Sequence, residues 1–157
     1  MNNERGEFFV STDPSLLQVD RVHHFLAKES YWSPEVPREI VVRAIQNSLC
    51  FGVYQRASAK TVQVGFARVI SDFASFAYLC DVYIDSGSRG HGLSKWLIEN
   101  VMAHPHLQGL RRFLLATKDA HSLYEKFGFK KTANPDDWME IKDNEIYLKQ
   151  RKNHASP

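Results

Sequence analysis

Cysteine is scarce in this chain: two residues in 157, Cys50 and Cys80, each inside an apolar run. Two thiols so placed make no disulfide framework and read as free, buried thiols of a reducing compartment. Net charge is scarce as well. Lys and Arg number 20 against 18 Asp and Glu, leaving +2, which is too even for an electrostatic grip on nucleic acid or an anionic membrane. Charges interrupt every apolar run before the roughly 18 residues that a membrane helix needs. The opening Met1-Asn2-Asn3-Glu4-Arg5-Gly6-Glu7 lacks the basic-then-apolar pattern of a secretory leader. No fixed-period repeat and no low-complexity tract appears. These absences give the expectation of a soluble, cytoplasmic protein. The residues present are 43% hydrophobic and 24% charged, the balance of a globular chain with enough apolar surface to offset chain entropy. One domain over residues 1–150 is expected, with a polar tail over 151–157.

The apolar pattern changes twice along the chain. Glu7 to Ser11 reads as a first strand. Asp20 is placed to cap a helix with Val22, Phe25 and Leu26 on one face, and Pro37 suits the first position of a second helix carrying Ile40, Val41, Ala44 and Ile45. From Leu49 the sequence turns β-branched and aromatic. Leu49 to Gln55, Val62 to Ser71 and Ser75 to Asp85 predict three strands in an antiparallel meander, with Asp72 in one of the turns. Leu93, Leu97 and Val101 form a helical stripe that Pro105 closes. Arg112 to Thr117 predicts a short buried strand. Asp119 is placed to cap a helix with Ala120, Leu123, Tyr124 and Phe127, ended by Gly128. Phe129 to Thr132 and Glu145 to Lys149 predict two late strands. The sum is an α/β protein of the α+β type: a mixed, mostly antiparallel sheet of about seven strands, flanked on both faces by about four helices.

The chemistry-bearing segment is Ser86-Gly87-Ser88-Arg89-Gly90-His91-Gly92-Leu93-Ser94, set between a strand and an amphipathic helix. Glycines there allow positive φ and close approach of a ligand to the amides. The first N–H groups of the helix lack intrahelical partners, and the macrodipole adds positive character, so a phosphate or diphosphate suits the site. On the residues alone, a surface turn that needs glycine is an equal alternative. There is no Gly-Lys-Ser/Thr ending, which excludes a nucleotide-hydrolase loop, and the spacing is not that of a dinucleotide fold.

Together with the downstream Ala120, Leu123, Tyr124, Gly128 and Phe129, this loop resembles the GNAT superfamily of acyl-CoA-dependent N-acyltransferases. Arg89, Gly92 and Ser94 fall on the three fixed places of that family's Q/R-x-x-G-x-G/A phosphate loop. The later residues match its Ala-x-x-Leu-Tyr-x-x-x-Gly-Phe segment. Two positions depart from the pattern: Ser94 stands where Gly or Ala is usual, and Thr117 where many members have an Asn that holds the pantetheine arm. The resemblance implies an acetyl-CoA-dependent N-acetyltransferase acting by direct attack in a ternary complex, with a small-molecule amine favoured over a protein as acceptor. Arg89, Gly90, His91, Gly92, Leu93 and Ser94 would hold the diphosphate. A bulge in the fourth strand would free Val82, Tyr83 and Ile84 to pair with the pantetheine, with Thr117 opposite.

Tyr124 occupies the family's general-acid position, where a phenol hands its proton to the departing thiolate; the residues alone also allow one more apolar stripe member. The Glu that some members use as base is replaced by Tyr78, which leaves Asp81 as the nearest candidate. Asp81 is equally readable as a carboxylate that ties down backbone, or one turned to the other face unless the bulge rotates it. Tyr31 and Trp32, in the link between the first helices, would line the acceptor pocket, with Trp138 and Met139 approaching from the C-terminal side. His104 and His106 flank Pro105 without a third ligand, and no metal is expected. The expected partners are acetyl-CoA and the amine, with neither nucleic acid nor membrane, in a monomer or homodimer. The alternative is a catalytically weak acyl-CoA-binding regulator or partner-binding module.

Overall fold

The computed structural model describes residues 3–154, with side chains through Gln150. Glu4–Arg5 (β1) and Phe8–Ser11 (β2) form a short hairpin. Val19–His24 (α1) runs on into a wider π turn over Phe25–Glu29, and Arg38–Gln46 (α2) follows. The meander is Leu49–Ala57 (β3), Lys60–Ser71 (β4) and Phe76–Ile84 (β5). Leu93–Met102 (α3), Arg112–Leu115 (β6), His121–Glu125 (α4) and Ile146–His154 (α5) complete the described residues. The strands lie side by side in chain order, antiparallel throughout except for the parallel pair β5–β6.

Alternation along β3, β4 and β5 sends side chains to two faces, and each face has its own core. Phe51, Val53, Ala67, Val69 and Leu79 meet Leu93, Leu97, Ile98 and Val101 of α3. Phe66 and Tyr83 meet Val22, Phe25, Leu26 and Val41 on the other side. Helices therefore cover both faces, as the apolar stripes predict. Asp72 holds the β4–β5 turn: its Oδ1 accepts from the N–H groups of Ala74, Ser75 and Phe76 at 3.0, 2.9 and 3.0 Å. A further bond, donated by the Ser75 hydroxyl to Oδ2 at 2.6 Å, and then those three backbone bonds hold its carboxyl below the ordinary carboxylate range.

The described residues form six strands, not seven. Phe129 to Thr132 takes no strand conformation, and Glu145 to Lys149 falls largely within α5. The second change has a local cause. Asp143 Oδ1 accepts from the Glu145 N–H at 2.9 Å, its other oxygen accepts from Lys149 Nζ at 2.8 Å, and Glu145 pairs with Lys149 one turn on. A cap and an i,i+4 pair favour helix over a lone edge strand. With α5 the α-helices number five. α5 ends at His154, and residues 155–157 of the tail lie outside the described residues.

Helix caps differ from expectation too. The N-cap of α1 is Gln18, whose N–H donates to Gln63 Oε1 at 2.8 Å. Asp20 lies inside the first turn and pairs with Arg38 at 2.7 Å. Pro37 is the N-cap of α2 rather than its first residue. At α4 the Ala120 N–H donates to Thr117 Oγ1 at 3.0 Å, which leaves Asp119 without the capping role. Among the described residues no helix is long and apolar enough to cross a membrane.

Burial pushes the Cys50 and Cys80 thiols from their ordinary value near 9 up to about 12, and the Tyr54 and Tyr83 phenols upward as well. The unfolded chain releases these protons from about pH 9–10 upward, while the folded chain keeps them. The stability they support is present below that range and is lost as pH rises toward about 12. The urea midpoint at about pH 10.5 is expected to fall below that at about pH 8; equal midpoints would contradict the burial of these groups.

Candidate active site

The site begins with a mismatch between two strands. Phe66 of β4 pairs with Tyr83 and Arg68 with Cys80, so two steps along β4 are matched by three along β5. The surplus residue lies in Asp81–Val82, and Asp81 has a φ of 54°. This is the bulge that the resemblance implies; the strand is the fifth because Glu4–Arg5 forms one of its own. Parallel pairing of β5 with β6 ends at Leu79 and Leu115. Beyond that point Cys80–Ile84 and the chain after Leu115 part, so the opening and the bulge coincide. Val82 packs half-buried against one core, Ile84 is buried in it, and Tyr83 is buried on the opposite face. The Tyr83 ring stacks on Phe25 with centroids 3.8 Å apart.

β5 leads directly into the glycine turn. Gly90 and Gly92 have φ of 84° and 69°, and Gly92 is the N-cap of α3. That end carries no side-chain cap and no acidic residue in its first turn, which leaves its N–H groups suited to an anion. Leu93 anchors the turn in the core, Ser94 is half-buried, and Gly90, His91 and Gly92 are exposed. The exposed Arg89 folds back so that its Nε donates to the Ile84 carbonyl at 3.3 Å. His91 Nδ1 lies 3.2 Å from the Ser88 carbonyl oxygen and its ring 5.7 Å from Phe8.

Tyr124 is 8% exposed and packs edge-on to Phe129 with centroids 6.0 Å apart. Burial first, and then the charges of Tyr31 and Asp119, push its phenol up to about 12. Tyr124, Thr117 and His121 line a cavity of about 460 Å³ that runs along β6 toward residues 129–135. Thr117 is half-buried, with its hydroxyl accepting from the Ala120 N–H. Tyr31 reaches the same end of the sheet: its hydroxyl accepts from the Lys118 N–H at 3.3 Å, and Lys118 Nζ lies 4.7 Å from the centre of its ring.

The bulge turns Asp81 toward the α1–α2 face. Oδ2 accepts from Arg68 Nε at 2.7 Å, and Oδ1 accepts from Trp32 Nε1 at 2.9 Å. The pair is well buried, with side-chain exposures of 15% for Arg68 and 9% for Asp81. Arg68 is the partner of Asp81 that motif reading misses, although a single charge inside the apolar run Val62 to Ser71 is a visible signal. Its guanidinium is held firmly charged by Asp81 against the opposing effect of burial. Tyr31 and Trp32 stand edge-on at 4.9 Å. Trp138 and Met139 do not join them. Trp138 lies under the Arg112 guanidinium at 4.7 Å, and Met139 is exposed. Among the described residues no group of three or more His, Cys, Asp or Glu is placed to hold a metal ion.

Similarity to known proteins bears on this geometry. The chain is 36% identical over 144 residues to a Gibberella zeae protein named as an acetyltransferase, covering 80% of each. It is 48% identical to a GNAT-family protein of Xanthomonas campestris whose crystal structure superposes with a TM-score of 0.83, over 89% of this chain and 96% of that one. An acetyltransferase of Clostridium acetobutylicum, solved with acetyl-CoA, shares the fold at 19% identity and a TM-score of 0.61, over 86% of this chain and 94% of that one. The profile of the acetyltransferase (GNAT) family matches residues 19–129, a stretch that runs from the start of α1 through the bulge and glycine turn to Phe129. The chain therefore belongs to the GNAT family of acetyltransferases and is an acyltransferase enzyme.

Proposed function

We propose that residues 1–150 form one N-acetyltransferase domain that moves an acetyl group from acetyl-CoA to a primary amine by direct attack. The observation that carries this reading is the coincidence of the bulge at Asp81–Val82 with the parting of β5 from β6 just beyond Leu79 and Leu115, together with a buried Tyr124 phenol in the cavity that runs along β6. The residues present suit the cosubstrate. The N-terminus of α3 has neither side-chain cap nor acid, and open space surrounds Gly90. Ser94, small and half-buried, leaves room for a diphosphate. Residues 89–94 hold that diphosphate, and Val82, Tyr83 and Ile84 hold the pantetheine with Thr117 opposite.

Acetyl-CoA supplies a thioester whose acyl carbon accepts the amine. The Val82 N–H is the donor we assign to the thioester carbonyl. The amine nitrogen forms the new bond to that carbon, and the carbon–sulfur pair leaves with sulfur. Tyr124 gives its proton to the thiolate and regains one, through water, from the attacking nitrogen, which becomes the neutral amide by losing it. Asp81 orients the amine through a lone pair not taken by Trp32 or Arg68. Tyr31 and Trp32 form the acceptor's entrance. Two thiols, Cys50 and Cys80, both free, fit a cytoplasmic location for a monomer or homodimer.

Tyr124→Phe removes the proton without removing the ring. Turnover is expected to fall about 100-fold, with the CoA dissociation constant unchanged by calorimetry; equal losses in both would contradict the acid role. Because the Tyr124 phenol stays protonated up to about 12, turnover should show no alkaline decline up to about pH 9.5. A descending limb with its midpoint below about pH 9 would contradict it.

A further inference from the structure

Two neighbouring aromatic residues tie together the two sides of the opening where β5 and β6 part, and they bear on the cosubstrate if the site acts as proposed above. We propose that Tyr31 and Trp32 form a clasp that fixes the width of the opening for the pantetheine arm. Trp32 holds the β5 side and Tyr31 the side beyond β6, which makes both of them positioning residues for the thioester.

The parallel ladder of β5 and β6 runs from Phe76 and Arg112 to Leu79 and Leu115. Carried on in the same register, Asp81 would stand opposite Thr117 and Val82 opposite Lys118. Among the described residues no strand pairing joins the two sides there. Side chains of the α1–α2 link join them instead. Trp32 Nε1 donates to Asp81 Oδ1 at 2.9 Å. The Tyr31 hydroxyl accepts from the Lys118 N–H at 3.3 Å, and Lys118 Nζ lies 4.7 Å from the centre of the Tyr31 ring. The two rings meet edge-on at 4.9 Å, so the tie runs through packed rings and not through a flexible arm. Trp32 also leans on Phe25 at 6.2 Å, and Phe25 stacks on Tyr83 of β5. The clasp thus has a second hold on the strand that carries Val82.

Sealing the core does not account for these rings. Tyr31 is 46% exposed and Trp32 39%, and each spends its polar atom on one side of the opening. Spacing there matters to an inserted arm. An extended chain pairs with a strand only at about 4.8 Å, so a drift on the order of an ångström on either side breaks its hydrogen bonds. Two sides left free would have to be ordered as the arm binds, and that ordering is subtracted from affinity; two sides already tied carry no such cost. The tie also reaches the helix that bears the acid. Lys118 sits between Thr117, whose hydroxyl accepts from the Ala120 N–H, and the start of α4.

The test uses the full chain and two ligands: CoA, and phosphoadenosine diphosphate, the nucleotide half of CoA without the pantetheine. Dissociation constants are measured by calorimetry for the unsubstituted chain, Tyr31→Ala, Trp32→Phe and the double variant. Tyr31→Ala removes both contacts with Lys118, and Trp32→Phe keeps a ring but loses the N–H. Each should weaken CoA about fivefold and leave the nucleotide unchanged. A clasp cut at one end is already open, so the double variant should bind CoA no more weakly than either single variant. Tyr31→Phe, which loses only the hydroxyl, should fall between the unsubstituted chain and Tyr31→Ala, and it stands in if Tyr31→Ala fails to fold. The clasp is overturned if CoA binding is unchanged, if CoA and the nucleotide weaken alike, or if the two losses multiply in the double variant. An unsubstituted chain that binds no CoA instead refutes the cosubstrate site, and the clasp falls with it.

Discussion

Between Phe66 and Arg68, β4 advances two residues while β5 advances three, and Asp81 takes up the surplus in a left-handed conformation. That conformation costs a non-glycine residue about 1–2 kcal/mol. The ion pair with Arg68 and the bond from the Trp32 indole hold it in place. Much of the site depends on this one residue being there. The bulge breaks the ladder where β5 parts from β6, and it sets Asp81 on the α1–α2 face next to Val82. Through Trp32 it also ties the link between the first helices to the sheet. Replacing either partner of the buried pair strands a charge, so the geometry and the stability of this region are coupled.

The two faces of the sheet divide the work. On one, α3 starts from the glycine turn with its N–H groups free of side-chain caps, and its apolar stripe fixes the turn to the core through Leu93. On the other, α1, α2 and Tyr147 of α5 enclose an aliphatic recess behind Asp81. Tyr124 lines the cavity that runs along β6, and burial pushes its phenol up to about 12. A phenol is protonated at neutral pH in any setting, and burial extends that range upward.

Local signals carried much of this. Alternation over Leu49 to Ile84 gave the meander, the stripe of Leu93, Leu97 and Val101 gave α3, and the glycine turn with the Ala120–Phe129 segment pointed to the family. Signals that depend on which side chain meets which, near or far, were not legible. Glu145 to Lys149 looks like a strand by composition, yet Asp143 and Lys149 close it as a helix. Asp20 and Asp119 have capping chemistry, but Gln63 and Thr117 meet the first N–H groups instead. Arg68 shows in sequence as a lone charge in an apolar strand. Its partner, 13 residues on, becomes evident only with the register of β4 on β5. Tyr147 closes a recess whose other walls lie far back in the chain, and no local pattern announces that.

The most direct test of the account is a crystal structure of the chain with CoA. The account predicts the diphosphate against the N–H groups of residues 89–94, the pantetheine along Val82–Ile84, and the sulfur within hydrogen-bond reach of the Tyr124 hydroxyl. CoA seated elsewhere, or bound in this groove with its sulfur remote from Tyr124, would contradict it.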